Sequence, residues 1–344
     1  MSRPDPSQPQ YRRDPVTGRW VIIAPERAQR PLGLSHSAPA IRRDVERDIC
    51  PFCEGMEHDT PGEVYAVRSP GSTVDGPGWQ LRVVPNKFPA VRPLLDTTPA
   101  ESIGLFEGFP GHGHHEVVIE CPFHEANPTE LPGPAFAAVF RAYRERLAAL
   151  SADRRCAAVA VFKNVGAEAG ASLAHLHSQI VATPVVPDGL RQELDGAAAY
   201  HRRTGQCVFC EMIAEERVLG ERIVLDTGRY VALVPYAGRF AYETWVLPAH
   251  HAAHYEASAD DAVVELAGVM QQLLRKLDHV LGLPAYNYYL HTAPPRSSQA
   301  ASYHWHFEIL PRTARPAGFE WGSGCFINAV APERAAADLR HAPG

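Results

Sequence analysis

Apolar residues along the chain recur with two different periods, which predict strands in some segments and helices in others. Short runs rich in Val and Ile, with partial alternation and Pro or Asn at their ends, are typical of strands; they include "WQLRVVPN" (79–86), "HEVVIEC" (115–121) and "CAAVAVFKN" (156–164). In residues 132–153 the apolar side chains instead recur at steps of three and four, which predicts an amphipathic helix. Residues 260–282 repeat this pattern between two aspartates and a final glycine.

These elements and the motifs between them occur in the same order twice. Each half contains a CxxC pair, a strand that ends in Val-Pro, a strand followed by a histidine, a helix, and a His-x-His motif: CPFC (50–53), VPNKFP (84–89), HHEVVIECPFH (114–124) and HLHSQ (175–179), then CVFC (207–210), VPYAGRF (234–240), YETWVLPAHH (242–251) and HWHFE (304–308). The lone histidine precedes the His-x-His motif by 51 residues in the first half and by 53 in the second. A duplicated unit explains this order. We therefore expect an α+β protein with two related domains, 1–190 and 191–344, each a mainly antiparallel sheet with packed helices.

Composition narrows the classes of function. The 344 residues are 45% hydrophobic and 21% charged, as in ordinary globular proteins. A net charge of -6 and the lack of any Lys/Arg-rich run argue against nucleic acid as a partner. The apolar runs are too short to span a membrane, and the N-terminus has no apolar signal segment. We expect a cytoplasmic protein without a membrane partner.

Four of the seven cysteines form the two CxxC pairs, which in a reducing compartment indicate metal binding or redox chemistry. Two thiolates on one tight turn suit tetrahedral zinc, with two further ligands from elsewhere in the fold. A histidine after the third strand of each half and the first histidine of each His-x-His supply them, which predicts two sites: Cys50, Cys53, His124 and His175, and Cys207, Cys210, His251 and His304. In the second half His250 and His254 lie close to His251 in sequence, so the choice of ligand there stays open. Four protein ligands leave no position for water, so these sites are expected to be structural. A redox pair should begin a helix, whereas CPFC lies in a turn-like segment.

The HLHSQ motif places three polar side chains at every second position of an otherwise apolar run. Because side chains alternate along a strand, His175, His177 and Gln179 are expected on one face. If His175 turns toward zinc, His177 is left facing a cleft beside Gln179.

HLHSQ resembles the HxHxQ signature of the transferase branch of the histidine-triad superfamily. The resemblance extends over nearly the whole chain through YRRDPVTGRWVIIAPERAQRP (11–31), CPFC, VPNKFP, FKNVGAEAGASLAHLHSQ (162–179) and AGFEWGSGCFIN (317–328). Together these motifs are similar to the galactose-1-phosphate uridylyltransferase family, which includes plant-type ADP-glucose phosphorylase. The resemblance implies two histidine-triad-like domains. The first would be catalytic and contain a zinc site, and the second would contain another metal site and a sugar-binding loop.

The resemblance also implies the chemistry. His177 would attack the α-phosphorus of a nucleotide sugar and form a nucleotidyl-histidine, while Gln179 would donate to a non-bridging phosphate oxygen. The reaction we expect converts UDP-glucose and galactose 1-phosphate into glucose 1-phosphate and UDP-galactose, a step of galactose metabolism, by a ping-pong route through uridylyl-His177. The alternative is ADP-glucose with phosphate through an adenylyl-histidine, and the HSQ sequence, the second CxxC and the GxGCFIN ending (322–328) favour it. A rival from another class is a nucleotide-binding or zinc-dependent interaction protein without turnover.

Further residues match substrate contacts of the family. Those implied are Arg27 and Arg30 for phosphate, Asn86 and Lys87 for the nucleotide, Asn164 and Ser172 for the α- and β-phosphates, Phe319, Glu320 and Gly322 for the sugar-binding loop, and Arg315 as a further substrate-binding residue. In the family the sugar-binding loop comes from the partner subunit, so a homodimer is implied.

The second half departs from the family pattern in two ways. HWHFE has Glu308 where the first half has Gln179, so His306 is not expected to be a nucleophile. The bacterial uridylyltransferases bind iron through a glutamate and three histidines, which would fall on Glu193, His291, His304 and His306. The softer thiolates favour the Cys207 and Cys210 site instead.

Overall fold

Strands and helices form where the two apolar periods predict them, in a computed structural model that describes residues 8–29, 50–94 and 101–344. In chain order the strands are β1 (Gln10–Arg13), β2 (Trp20–Ile23), β3 (Tyr65–Arg68), β4 (Trp79–Pro85), β5 (Glu101–Ile103), β6 (Phe106–Gly108), β7 (His114–Ile119), β8 (Ala158–Val165), β9 (His177–Thr183), β10 (Ile223–Asp226), β11 (Tyr230–Leu233), β12 (Thr244–Pro248), β13 (Tyr286–His291), β14 (His306–Pro311) and β15 (Phe326–Asn328). The helices are α1 (Gly133–Ser151), α2 (Asp188–Thr204), α3 (Val208–Leu219), α4 (Asp260–Leu281), α5 (Gly318–Ser323) and α6 (Pro332–His341).

Ten strands form one antiparallel sheet in the order β10-β11-β12-β14-β13-β8-β9-β7-β4-β3. Its two halves have the same topology: from the outer edge inward, each contains its first, second, third, fifth and fourth strand. The halves meet where β13 pairs with β8, with Asn287 opposite Asn164. The α+β class with two related units is confirmed. The merging of the two sheets is a new observation, because periodicity within a strand does not specify its neighbour at a sheet edge.

Helices α1 and α4 form the two predicted amphipathic helices and pack side by side on one face of the sheet. One apolar core includes side chains from both helices and both halves of the sheet, among them Phe140 of α1, Leu273 of α4, and Ile180 and Phe307 of the strands. Gly282 ends α4 with a positive φ of 72°, a conformation that glycine adopts without a steric penalty. The core therefore belongs to both halves jointly.

Two features of the fold were not predicted from the sequence patterns. Helix α2 spans the expected domain boundary at 190/191. The helix is polar, and only one of its sides is buried. Strand β15 pairs parallel to β2, so residues near the C-terminus join the N-terminal β1–β2 hairpin in a small three-stranded sheet. Across the described parts of the chain, none of the helices is both long and apolar enough to cross a membrane.

Candidate active site

A cavity of about 540 Å³ lies over the face of the sheet that points away from α1. Alternation along β9 sets this arrangement, because Ile180 enters the core beneath α1 while Gln179 lines the cavity. The CPFC turn, residues 59–61, the loop after β4 and the segment before β9 complete the walls. The lining residues are Pro51, Phe52, Asp59, Thr60, Pro61, Val84, Pro85, Asn86, Lys87, Phe88, Val117, Ser172, Leu173, His177 and Gln179.

His177 begins β9, and a backbone hydrogen bond determines its tautomer. Its Nδ1 donates to the backbone carbonyl of His175 at 2.7 Å, so Nε2 is the unprotonated nitrogen of the neutral ring. Burial lowers the pKa of His177 below the usual value, which favours the neutral ring. The aromatic ring of Phe52, from the CPFC turn, packs 5.4 Å from the His177 ring. A neutral imidazole with a free nitrogen, held in a cavity, can act as a nucleophile.

A buried ion pair lies directly behind His177. Lys163 Nζ is 2.6 Å from Glu120 Oε2, and both side chains are at most 1% exposed. The same Nζ donates to the backbone carbonyl of His177 at 3.2 Å. The motifs did not identify this pair, although a charged residue inside each of two strand-like apolar runs was a signal for it.

The four predicted ligands of the first metal site come together. One ligand atom from each of Cys50, Cys53, His124 and His175 lies within 4.8 Å of the other three. His175 Nδ1 is 3.5 Å from Cys50 Sγ and 3.6 Å from Cys53 Sγ, while its Nε2 donates to the carbonyl of Cys121 at 2.9 Å. That bond leaves Nδ1 free to ligate, as in most metal sites that contain histidine. His175 lies just before β9, and the ring of Phe52 packs against both His175 and His177, at 6.0 and 5.4 Å.

The second set of predicted ligands, Cys207, Cys210, His251 and His304, is grouped in the same way. The Nδ1 atoms of His251 and His304 are 3.7 and 3.6 Å from Cys210 Sγ. Their Nε2 atoms donate to the carbonyls of Ala300 and Pro248, at 3.0 and 2.9 Å. Cys207 caps α3, so this CxxC begins a helix as a redox pair would. The two converging imidazoles distinguish it from a simple dithiol and form a candidate metal-binding cluster.

The four residues of the alternative iron site do not form one cluster. Glu193, His291 and His306 gather with Glu308, whereas His304 faces the cysteines. Glu193 accepts from His291 Nδ1 at 2.9 Å and from the hydroxyl of Tyr303 at 2.8 Å. The two alternatives for the second metal site thus fall on separate clusters, and only the cysteine cluster keeps all four of its predicted residues.

The second half has no open counterpart of the cavity at His306. The register of β14 places His306 where β9 has His177, since Trp245 faces Glu308 as Val117 faces Gln179. The Trp245 ring stacks on His306 at 5.0 Å, and His306 is fully buried. This burial supports the expectation that His306 is not a nucleophile.

The remaining predicted substrate residues are only partly assembled. Asn86, Lys87, Ser172 and Gln179 line the cavity. Asn164 lies on β8, where its Oδ1 accepts from Asn287 Nδ2 at 2.7 Å. The others lie outside the cavity wall: Arg27 in the turn after β2, Arg315 exposed before α5, and Phe319, Glu320 and Gly322 in α5. Arg30 lies outside the described residues.

Two family models match the chain. The N-terminal domain of galactose-1-phosphate uridyl transferase matches residues 3–187, and its C-terminal domain matches residues 193–317. Together they cover all ten strands of the duplicated sheet.

Individual relatives match over nearly the full length. ADP-glucose phosphorylase of Arabidopsis thaliana is 35% identical over 335 residues, which cover 96% of this chain and 92% of that protein. The crystal structure of an Arabidopsis ADP-glucose phosphorylase with bound ADP-glucose aligns with a TM-score of 0.81 and 33% identity, over 98% of this chain and 100% of that one. Galactose-1-phosphate uridylyltransferase of Thermotoga maritima is 25% identical over 339 residues, covering 96% and 98% of the two chains.

These matches confirm the resemblance inferred from the motifs, including HLHSQ. The chain belongs to the galactose-1-phosphate uridyl transferase family, nucleotidyltransferases that act on nucleotide sugars and sugar phosphates.

Proposed function

We propose that this enzyme transfers AMP from ADP-glucose to phosphate through an adenylyl-His177, releasing glucose 1-phosphate and ADP. The arrangement of His177, neutral in the cavity wall with Nδ1 bonded and Nε2 free, is the observation that carries the transfer chemistry. The choice of donor rests on similarity, which is 35% to the ADP-glucose phosphorylase and 25% to the Thermotoga uridylyltransferase. The motifs placed the uridylyl reaction first, and the comparisons favour the alternative.

The proposed reaction proceeds in two displacements at the α-phosphorus. His177 Nε2 attacks, the bond between phosphorus and the bridging oxygen breaks, and glucose 1-phosphate leaves with the electron pair. The ring then carries a positive charge. The hydrogen bond from its Nδ1 to the carbonyl of His175, at 2.7 Å, stabilises this charge. An oxygen of inorganic phosphate next attacks the same phosphorus, the P–N bond breaks, and ADP leaves. Neither step needs a strong general acid. In the first the leaving group is a phosphate monoester, and in the second it is the imidazole of His177, which leaves the phosphorus as a neutral ring.

The cavity suits a nucleotide sugar in size, and a few polar side chains stand in its mostly apolar wall. Its volume of about 540 Å³ lies within the range of small-molecule sites. We assign Ser172, Lys87 and the amide of Gln179 to phosphate oxygens and Asn86 to the nucleoside. Donors held in place before the reaction stabilise charge that develops on the equatorial oxygens.

We propose that residues 1–190 form the catalytic unit that contains the cavity. We also propose a homodimer, in which residues 191–344 of each subunit supply the sugar-binding loop to the cavity of the partner subunit. Phe319 and Trp321 of α5 are 50% and 76% exposed, which supports contact with another chain. Arg27 and Arg30 would add phosphate contacts, and Arg315 with Glu320 and Gly322 would contact the sugar.

We propose zinc in both cysteine-histidine clusters, where two thiolates and two neutral imidazoles provide a tetrahedral set. In the first cluster, zinc would hold the CPFC turn, and with it Phe52, against His177. Metal analysis is expected to give about two zinc ions per chain in the wild type and about one in Cys207→Ser, because losing one thiolate opens a four-ligand site. Cys325→Ser, at a half-buried cysteine outside both clusters, is the control and should keep both ions. An unchanged zinc content in Cys207→Ser would contradict the second site.

The donor is tested by incubating the protein with ADP-glucose or UDP-glucose, each labelled in the α-phosphate. Acid-labile label should stay on the protein after ADP-glucose and leave as ADP when phosphate is added. Label from UDP-glucose alone, discharged by galactose 1-phosphate, would identify the uridylyl reaction instead. If neither donor labels the protein, both reactions are excluded and the hypothesis of a binding protein without turnover is favoured.

A further inference from the structure

His115 lies next to the reactive groups but has no role in the two displacements above. It stands on β7 two residues before Val117, so both side chains point to the cavity side of the sheet. Val117 is the direct neighbour of Gln179 across the β7–β9 pair. His115 thereby comes within hydrogen-bonding distance of Gln179, with 2.7 Å between its Nε2 and Gln179 Oε1.

The backbone determines which nitrogen of His115 carries the proton. The amide N–H of Ala90 donates to His115 Nδ1 at 3.1 Å, so Nδ1 is the acceptor and Nε2 carries the hydrogen. Nε2 therefore donates to Gln179 Oε1. Asn86 Nδ2 lies 3.1 Å from the same Nε2, but an accepting Nε2 would require a proton on Nδ1, which the N–H of Ala90 opposes.

This bond determines which end of the Gln179 amide faces the cavity. With Oε1 engaged by His115, the amide can offer only its NH₂ group to a phosphate oxygen. If the amide turned over, it would present a carbonyl oxygen to the phosphate, which repels it. The orientation of Gln179 thus depends on a residue that does not line the cavity.

In the second half, charged side chains occupy the positions that correspond to the Ala90 loop, His115 and Gln179, and they form ion pairs with one another. Glu243 stands two residues before Trp245, as His115 does before Val117, and Glu308 takes the position of Gln179. Arg239, from the loop that corresponds to residues 86–90, binds both carboxylates, and its side chain is 16% exposed. In one half this connection is a neutral relay beside an open cavity, and in the other it is an ion pair that fills the space.

We propose that His115 is a positioning residue for nucleotidyl transfer, which orients the Gln179 amide through its Nε2–H and transmits the position of the Ala90 loop to it. This proposal rests on the proposed function, since it assigns His115 a part in that reaction. It identifies the relay from the Ala90 amide through His115 to Gln179 as a determinant of the rate of the first displacement rather than of donor affinity.

Two substitutions separate the hydrogen bond from the shape of the ring. His115→Phe keeps a planar ring and removes the donor, whereas His115→Gln keeps an N–H at a similar reach. In single-turnover labelling with ADP-glucose, we expect His115→Phe to slow formation of the nucleotidyl-enzyme by about 10- to 100-fold. His115→Gln should retain a rate within about threefold of the wild type, and the donor KM should change little in either variant.

A double-mutant cycle with Gln179→Ala tests whether the two residues act together. If His115 works through Gln179, His115→Phe should have no further effect on the rate in the Gln179→Ala background. An equal loss in both backgrounds, or no loss in His115→Phe alone, overturns the proposal. Labelling of the wild type separates the two hypotheses: a wild type that takes no label refutes the proposed function, whereas a labelled wild type with unaffected variants refutes only the role of His115. Melting temperature and zinc content close to those of the wild type would show that the variants are folded.

Discussion

Replacing His177 by alanine is expected to lower the rate of nucleotidyl transfer by at least about 10⁴-fold, as loss of a covalent nucleophile does in other enzymes. The Nε2 atom of His177 is the group that we assign to attack the α-phosphorus. Alanine removes the atom that forms the P–N bond, and the remaining cavity can only bind the donor. The donor should therefore still bind, while label from its α-phosphate should no longer stay on the protein.

The duplicated half provides the matched control. His306 occupies the position of His177 in the second unit, but it is fully buried under Trp245. His306→Ala should lower the melting temperature, because it removes a packed side chain, yet the folded variant should still accept label. Full turnover by His177→Ala, or loss of labelling in a folded His306→Ala, would show that the chemistry does not take place at His177 in the first half. Rates are measured by single-turnover labelling, and donor affinity by calorimetry.

Much of the fold can be predicted from the sequence because its signals are local. The three- and four-residue steps in residues 132–153 and 260–282 specify α1 and α4 almost to their ends. The order of motifs reveals the duplication. The pairing of β8 with β13 could not be predicted, because the pattern of Ala158–Val165 shows a buried strand without naming its partner.

The candidate site shows the same division between local and non-local information. Residue type and the order repeated in both halves grouped the ligands of the first cluster and gave the second cluster as one of two alternatives, since metal ligands require specific residue types. His115 could not be found this way, because its role depends on the register between β7 and β9 and on the amide of Ala90. Lys163 and Glu120 lie 43 positions apart in sequence, and only the folded sheet shows that they pair beneath His177.

Replacing Lys163 by methionine is expected to reduce the free energy of unfolding by about 3–5 kcal/mol, the usual cost of breaking a buried ion pair. Glu120 would remain buried without its partner at 2.6 Å, and the carbonyl of His177 would lose the donor at 3.2 Å. Denaturant titration of the purified protein measures the change. Arg141→Ala, which breaks a solvent-exposed pair with Asp260, is the control and should have a far smaller effect.

The double variant Lys163→Met/Glu120→Leu should regain most of that stability, because it removes both charges and fills the space with apolar groups. Its rate of transfer separates the two roles of the pair. If Lys163 only balances Glu120, the double variant should transfer nucleotides at the wild-type rate once it is folded. If the bond from Nζ to the His177 carbonyl holds the start of β9 in place, the double variant should be stable but slow, since the nucleophile would be less precisely placed. We expect the second result, because the same Nζ that pairs with Glu120 also contacts the backbone of the nucleophile. A double variant that stays as unstable as Lys163→Met would show that the pair is held by more than its two charges.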